Sequence, residues 1–187
     1  MRNIDVVLKE NLMNTANNKR RQTTRARIEK EFIRLIQDKD LDRISVTDIC
    51  RNAGINRSTF YDNYDDVYQL ADKMRRTLEE DFLSLYTDEI KNRYNSNDYL
   101  KLFRHIYENQ IVYKTYFKLG YEKQVKTDVY DKYLAEKFFG GKHVEYHIEF
   151  FRAGITAIIK MWLKAGCKES PEEMARILAA EYQGREL

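Results

Sequence analysis

Seven cations crowd one stretch of this 187-residue sequence: Lys19, Arg20, Arg21, Arg25, Arg27, Lys30 and Arg34, with only Glu29 and Glu31 among them. Cations at that density can bind phosphate by releasing counterions, or they can form a solvated helix face. A second group is His143 and His147, four apart with Glu145 and Glu149 nearby. On a helix this spacing puts both imidazoles on one side, where they could share a metal. The zinc-protease pattern needs Glu directly after the first His, and Val144 stands there. There is no G-x-S-x-G elbow, no Gly-rich phosphate loop and no Cys–His pair in recognisable context. Cys50 and Cys167 lie far apart in apolar helical patterns, which suggests neither a disulfide framework nor a paired-cysteine metal site and fits a reducing cytoplasm. These residues point to binding rather than catalysis, with no cofactor and no metal expected.

The elements that must carry these residues are helical. One Pro and seven Gly in the whole chain leave little turn chemistry for the hairpins of a β-sandwich or barrel. Hydrophobic residues at 43% and 14 Tyr with 9 Phe supply ample surface for a core, so an all-α fold is expected. Lys9 and Glu10 interrupt the apolar run Ile4 to Leu8, and no uncharged stretch reaches membrane-spanning length. The charge excess is local. Residues 1–64 hold 13 basic and 9 acidic side chains, and the remainder holds 20 and 21.

Residues 1–18 look like an extension of unreadable role. Thr24 is a candidate N-cap for a first helix with Ile28, Phe32, Leu35 and Ile36 on one face, ending near Asp38. Ser45 and Asp48 have capping-box spacing ahead of Val46, Ile49, Cys50 and Ala53, and Gly54 supplies the left-handed stop. Asn56 then caps a short helix to Tyr64, with Phe60 and Tyr64 inward and Arg57, Ser58, Tyr61 and Asp62 mostly outward. Asp65 is the expected cap of a long helix carrying Val67, Leu70, Ala71, Met74, Leu78, Phe82 and Leu85. Helical spacing continues through Tyr99 to Phe117, through Val125 to Phe139, and through His143 to Ala165, whose apolar face is wider than one partner needs. Ser170, Pro171 and Glu173 announce a last helix with Met174, Ile177 and Leu178 inward.

The segment 45–64 reads as a helix-turn-helix, in which the first helix braces the second so that its outer face can enter a major groove. Cys50 is small enough for a close crossing, Ile55 plugs the turn, and Phe60 anchors the second helix. Helical hairpins that bind nothing share this pattern, so periodicity alone leaves both readings open.

The runs TTRARIEKEFIRLI and ISVTDICRNAGINRSTFYDNYDDVYQL resemble the DNA-binding domain of TetR/AcrR-type transcriptional regulators, over about Thr23 to Phe82. Gly154 with Ile155, Ile158, Trp162, Leu163 and the tail CKESPEEMARIL resembles the regulatory domain found in Firmicutes members. The resemblance implies an extension (1–18), a DNA-binding domain (19–66) and a regulatory and dimerisation domain (67–187). It implies a cytoplasmic homodimer, more commonly a repressor, reading a pseudo-palindromic operator in double-stranded DNA. Carried over by position, Arg57, Ser58, Thr59 and Tyr61 face the groove, with Arg57 suited to a guanine edge. Thr24, Arg25, Thr47, Tyr61, Asn63 and Tyr64 fall at phosphate-contact positions, with core packing the competing role for Tyr64. The last two helices make the dimer, through Phe151, Ile155, Ile158, Trp162, Met174, Ile177 and Leu178. Phe103, Tyr107, Tyr113, Phe117, Phe151 and Trp162 either line a pocket for a small-molecule effector or form core, and some relatives act with a protein partner instead. Asp65 and Asp66 stand where many relatives carry Lys or Pro, and with Asp62 they favour the alternative of a helical adaptor or coactivator working through protein contacts.

Overall fold

Periodicity that puts one apolar face on each segment is realised as a series of α-helices in the computed structural model. It describes residues 4–92, 98–123, 136 and 140–182, except for the side chains of 4–17, 90, 123 and 182. The helices are α1 (Ile4–Asp38), α2 (Val46–Ala53), α3 (Arg57–Tyr61), α4 (Val67–Ser84), α5 (Thr87–Asn92), α6 (Tyr99–Glu108), α7 (Gln110–Lys118), α8 (Val144–Lys164) and α9 (Pro171–Tyr182). Short 3-10 turns occupy Leu41–Arg43 and Tyr121–Lys123. No strand occurs among the described residues, and the chain is all-α. No described helix is long and apolar enough to cross a membrane. The helix expected over Val125 to Phe139 lies outside the described residues, apart from residue 136.

The chain divides into two units, Met1–Met74 and Arg75–Leu187, with the boundary inside α4. In the first, Ile28, Phe32 and Ile36 of α1, Ile49 of α2, Phe60 of α3, and Leu70 of α4 are wholly or almost wholly removed from solvent. Local chemistry sets the ends of the short helices. The Ser45 hydroxyl accepts from the Asp48 amide at 3.0 Å, and Gly54 adopts φ 62° with its amide donated to the Cys50 carbonyl. A separate side-chain hydrogen bond with Ser45 holds the Asp48 carboxyl below its usual range, and Lys39 adds to the effect.

Two expectations are corrected here. Thr24 is no N-cap, because α1 runs unbroken from Ile4 past it. The polar run Asn14 to Asn18 contains neither Pro nor Gly to stop a helix. The cap of α4 is Asp66 rather than Asp65: Asp66 Oδ1 accepts from the Gln69 amide at 2.7 Å. Gln69 folds back so that its Oε1 accepts from the Asp65 amide at 2.8 Å, and the cap sits one residue later than expected.

In the second unit the core joins Leu78 of α4, Phe103 and Ile106 of α6, Tyr113 and Tyr116 of α7, Ile155, Ile159 and Trp162 of α8, and Met174 and Leu178 of α9. Phe103 meets Trp162 edge-on at 5.5 Å, and the indole N–H donates to the Glu169 carbonyl at 3.0 Å. The Ser170 and Glu173 capping box forms as the spacing predicts: the Glu173 amide donates to Ser170 Oγ at 3.2 Å and the Ser170 amide to Glu173 Oε2 at 2.8 Å. Asn109 separates α6 from α7, a break hidden by continuous apolar spacing.

Candidate nucleic-acid interface

Helix α3 is five residues long, too short to persist as a helix by itself, so its ends decide its orientation. At the start, Asn56 Oδ1 accepts three donors: the Thr59 amide at 2.8 Å, the Thr59 hydroxyl at 2.6 Å and the Ser58 hydroxyl at 2.8 Å. Both hydroxyl protons expected to face a groove are therefore turned toward the cap. At the far end Asn63 Nδ2 donates to the Thr59 carbonyl at 2.8 Å. Phe60, 0% exposed, pins the inner face.

The outer face carries Arg57 and Tyr61, both exposed, one turn apart. Arg57 Nη2 donates to the Tyr61 hydroxyl at 3.2 Å, and its guanidinium lies 5.9 Å from the ring centroid. The bond to the Tyr61 hydroxyl raises the Arg57 pKa, so the cation is held in one place without losing its charge. A guanidinium fixed on an exposed helix face can present two parallel donors, the arrangement that matches the O6 and N7 edge of guanine.

The cation cluster divides. Arg21 and Arg25 reach the end of α3, where Asn63 Oδ1 accepts from their Nε atoms at 3.4 and 3.2 Å, and Arg21 Nη2 donates to the Asp62 carbonyl at 3.1 Å. Arg27 Nη2 donates to the carbonyls of Ala53 and Gly54, closing the C-terminus of α2, and Arg34 pairs with Glu31 at 2.9 Å. The side chains of Lys19, Arg20 and Lys30 make no hydrogen bond or ion pair among the described residues. Lys19 and Arg20 instead line a shallow surface depression with Thr23 and Thr24. Sequence reasoning singled out Arg25 from this cluster; no spacing rule reveals that its partner lies 38 residues away.

Thr47 is exposed near the start of α2, and Thr24 is half-buried on α1. Tyr64 is a core residue: it is 0% exposed and its hydroxyl donates to Glu29 Oε1 at 2.7 Å, which leaves no path to a phosphate. Burial, then the Glu29 carboxylate, pushes its phenol well above the ordinary tyrosine range.

In the second unit the aromatic set packs largely on itself. Tyr107 stacks on Trp162 at 6.2 Å, Tyr113 lies 6.5 Å from Phe117, and Phe151 lies 6.1 Å from Tyr99. Tyr113 Oη is 2.8 Å from His105 Nδ1. Of the expected interface, Ile155, Trp162, Met174 and Leu178 are buried within this chain's own core, Phe151 and Ile158 are half-buried, and Ile177 is 46% exposed. The outward face of α8 shows Tyr146 (78% exposed), Phe150 (63%) and Met161 (67%), with exposed Ala153, Gly154 and Ala157 between them. The sequence signalled this face through Ala153, Gly154 and Ala157, beside an apolar face wider than one partner needs, but not through Tyr146, Phe150 or Met161. Among the described residues, no three of His, Cys, Asp and Glu converge to hold a metal.

Residues 94–181 match the TetR-type family described as transcriptional regulator C-terminal region. The chain is 35% identical over 101 residues to the HTH-type dhaKLM operon transcriptional activator DhaS of Lactococcus lactis subsp. lactis, covering 54% of this chain and 52% of that protein. It thus spans about half the length of that curated relative. A solved structure titled dihydroxyacetone kinase operon activator DhaS aligns with a TM-score of 0.50 and 26% identity, over 84% of this chain and 92% of the other. Residues 94–181 thus carry the C-terminal domain of TetR-type regulators. The fold alone is shared with NalD of Pseudomonas aeruginosa (TM-score 0.57, 15% identity, 89% of this chain and all of the other). It is shared likewise with the fatty acid degradation regulator FadR of Bacillus halodurans (0.55, 12%, 87% and 96%). The TetR family and these relatives are transcriptional regulators, not enzymes.

Proposed function

We propose that this chain is a TetR-type, sequence-specific DNA-binding transcriptional regulator that works as a homodimer on a pseudo-palindromic operator. The observation that carries the reading is Arg57, exposed, charged and steadied by Tyr61 on the outer face of a helix secured at both ends. Lys19 and Arg20, exposed together on α1, supply phosphate contacts. The homodimer reading is supported by the exposed face of α8, where a Cβ built on Gly154 would meet nothing within 4 Å of its own chain. That glycine answers no need of the lone subunit, and its lack of a side chain suits the close approach of a second helix.

The adaptor alternative rested on Asp62, Asp65 and Asp66. The capping of α4 accounts for Asp66 and involves Asp65, which gives these two acids a structural reason independent of any partner. Repression follows the family's common mode, whereas the relative named as an activator supports the opposite sign. A transcription assay with the operator placed over or upstream of a promoter separates them. An effector that acts through the aromatic set would have to part rings now in contact, and would shift the population between DNA-competent and incompetent states.

Selection of bound duplexes from a random pool, followed by anisotropy titration across a salt series, tests the reading. A palindrome with a steep salt slope is expected, and Arg57→Ala should lower preference at one base pair per half-site by about tenfold. No enriched duplex would overturn the proposal.

A further inference from the structure

The stripe Arg21, Arg25 and Glu29 recurs every fourth residue along α1, so the three side chains leave the helix on one side. All three end at the same place, the exit of α3: Arg21 and Arg25 on Asn63, and Glu29 on the Tyr64 hydroxyl. Asn63 is the centre of this junction. Its Oδ1 receives both guanidinium Nε donors while its Nδ2 donates back to the Thr59 carbonyl inside α3. The helix C-terminus carries a partial negative charge and unsatisfied carbonyls, and two cations with a side-chain amide are the groups that complement it.

We propose that Asn63 is a positioning residue through which Arg21 and Arg25 lock the end of the recognition helix to α1, so that these two arginines set sequence preference rather than neutralise phosphate. The inference rests on the reading of α3 as the DNA-reading helix. It reassigns Arg25 and Asn63 from phosphate contacts to orientation, and leaves Lys19 and Arg20 as the backbone-binding cations of α1. With α3 only five residues long, a rotation at its exit would move Arg57 at its entrance, because no additional turn absorbs the error.

The full chain carrying Asn63→Ala, Arg25→Ala, Arg25→Lys or Arg20→Ala is titrated with the selected duplex and with a scrambled one, each across a salt series. Asn63→Ala and Arg25→Ala should each cut the ratio of the two affinities by about tenfold while leaving the salt slope on scrambled DNA unchanged. Arg20→Ala should weaken both duplexes alike and lower the slope by about one per half-site. Arg25→Lys separates the two roles, since an ammonium replaces a point charge on phosphate but lacks the Nε donor that meets Asn63. Failure of Lys to restore the ratio supports the proposal. A slope change in Arg25→Ala that Lys reverses overturns it, as does an unchanged ratio in Asn63→Ala. Should Asn63→Ala fail to fold, Asn63→Ser takes its place. If the wild-type chain prefers no duplex, the DNA reading has failed, and amide exchange in the DNA-free protein judges the lock. Faster exchange at positions 63 and 64 in Asn63→Ala and Arg25→Ala supports it, and unchanged exchange overturns it.

Discussion

The two units of this chain hold their helices by different means. In the first, a five-residue and an eight-residue helix are secured at their ends: Ser45 and Asn56 at the starts, Gly54 with Arg27 and Asn63 with two arginines at the stops. In the second, α6 to α9, of nine to 21 residues, lie face against face, with Trp162 touching Phe103 and Tyr107 and, of these four, only α9 opening on a full capping box. The difference follows from length. A short helix offers too little buried face to define its own direction, so its terminal groups must, whereas a long helix is oriented by the area it covers.

The largest effect expected from this contrast is that of Trp162→Ala. Removing a fully buried indole from an aromatic core should cost the second unit about 3–5 kcal/mol. Hydrogen exchange should show lost protection over residues 99–118 and 144–182 with protection in α2 and α3 retained. Equal loss in α2 and α3 would break the contrast. Gly54→Ala should act on the first unit instead, by about 1–2 kcal/mol, because φ 62° strains any side chain. The new Cβ would also lie 3.0 Å from Arg27 Nη2, so the guanidinium at the α2 carbonyls must give by a few tenths of an ångström. Thermal unfolding followed at the amides of α2 and α3 measures it, and an unchanged midpoint there would count against the role of helix ends.

The smallest effect is set by pH. Burial raises the phenols of Tyr86, Tyr113 and Tyr116 in the second unit and of Tyr64 in the first above their unfolded value. A raised folded pKa means the protonated phenol is favoured by the native state. The associated stability is complete below about pH 10 and is lost as pH rises beyond that value. With three such phenols against one, the second unit should lose stability faster above about pH 10, as read by phenolate absorbance alongside melting. The first unit melting first would reverse the comparison.

Residues governed by neighbours within one turn were legible in advance: Ser45 with Asp48, Gly54, Asn56, and Ser170 with Pro171 and Glu173. The errors arose where several residues satisfied the same local rule. Asp65 and Asp66 are both good caps, and only the return of the Gln69 side chain selects Asp66. Thr24 has the chemistry of a cap, yet nothing before it ends the helix. Tyr64 falls at a phosphate-contact position of the resembling family, yet its spacing from Phe60 already turns it inward, and Glu29 receives its hydroxyl proton.

Periodicity, caps and left-handed glycines follow from the preferences of adjacent residues, so the all-α class, the helix-turn-helix and the exposure of Arg57 could be read from the chain alone. The employment of the seven cations could not. Arg21 and Arg25 meet Asn63 across 42 and 38 residues, and Arg27 meets Ala53 across 26. A charge carries no mark of its partner: only folding, by bringing the α2 and α3 termini against α1, decides which guanidiniums complement helix ends and which remain open to solvent.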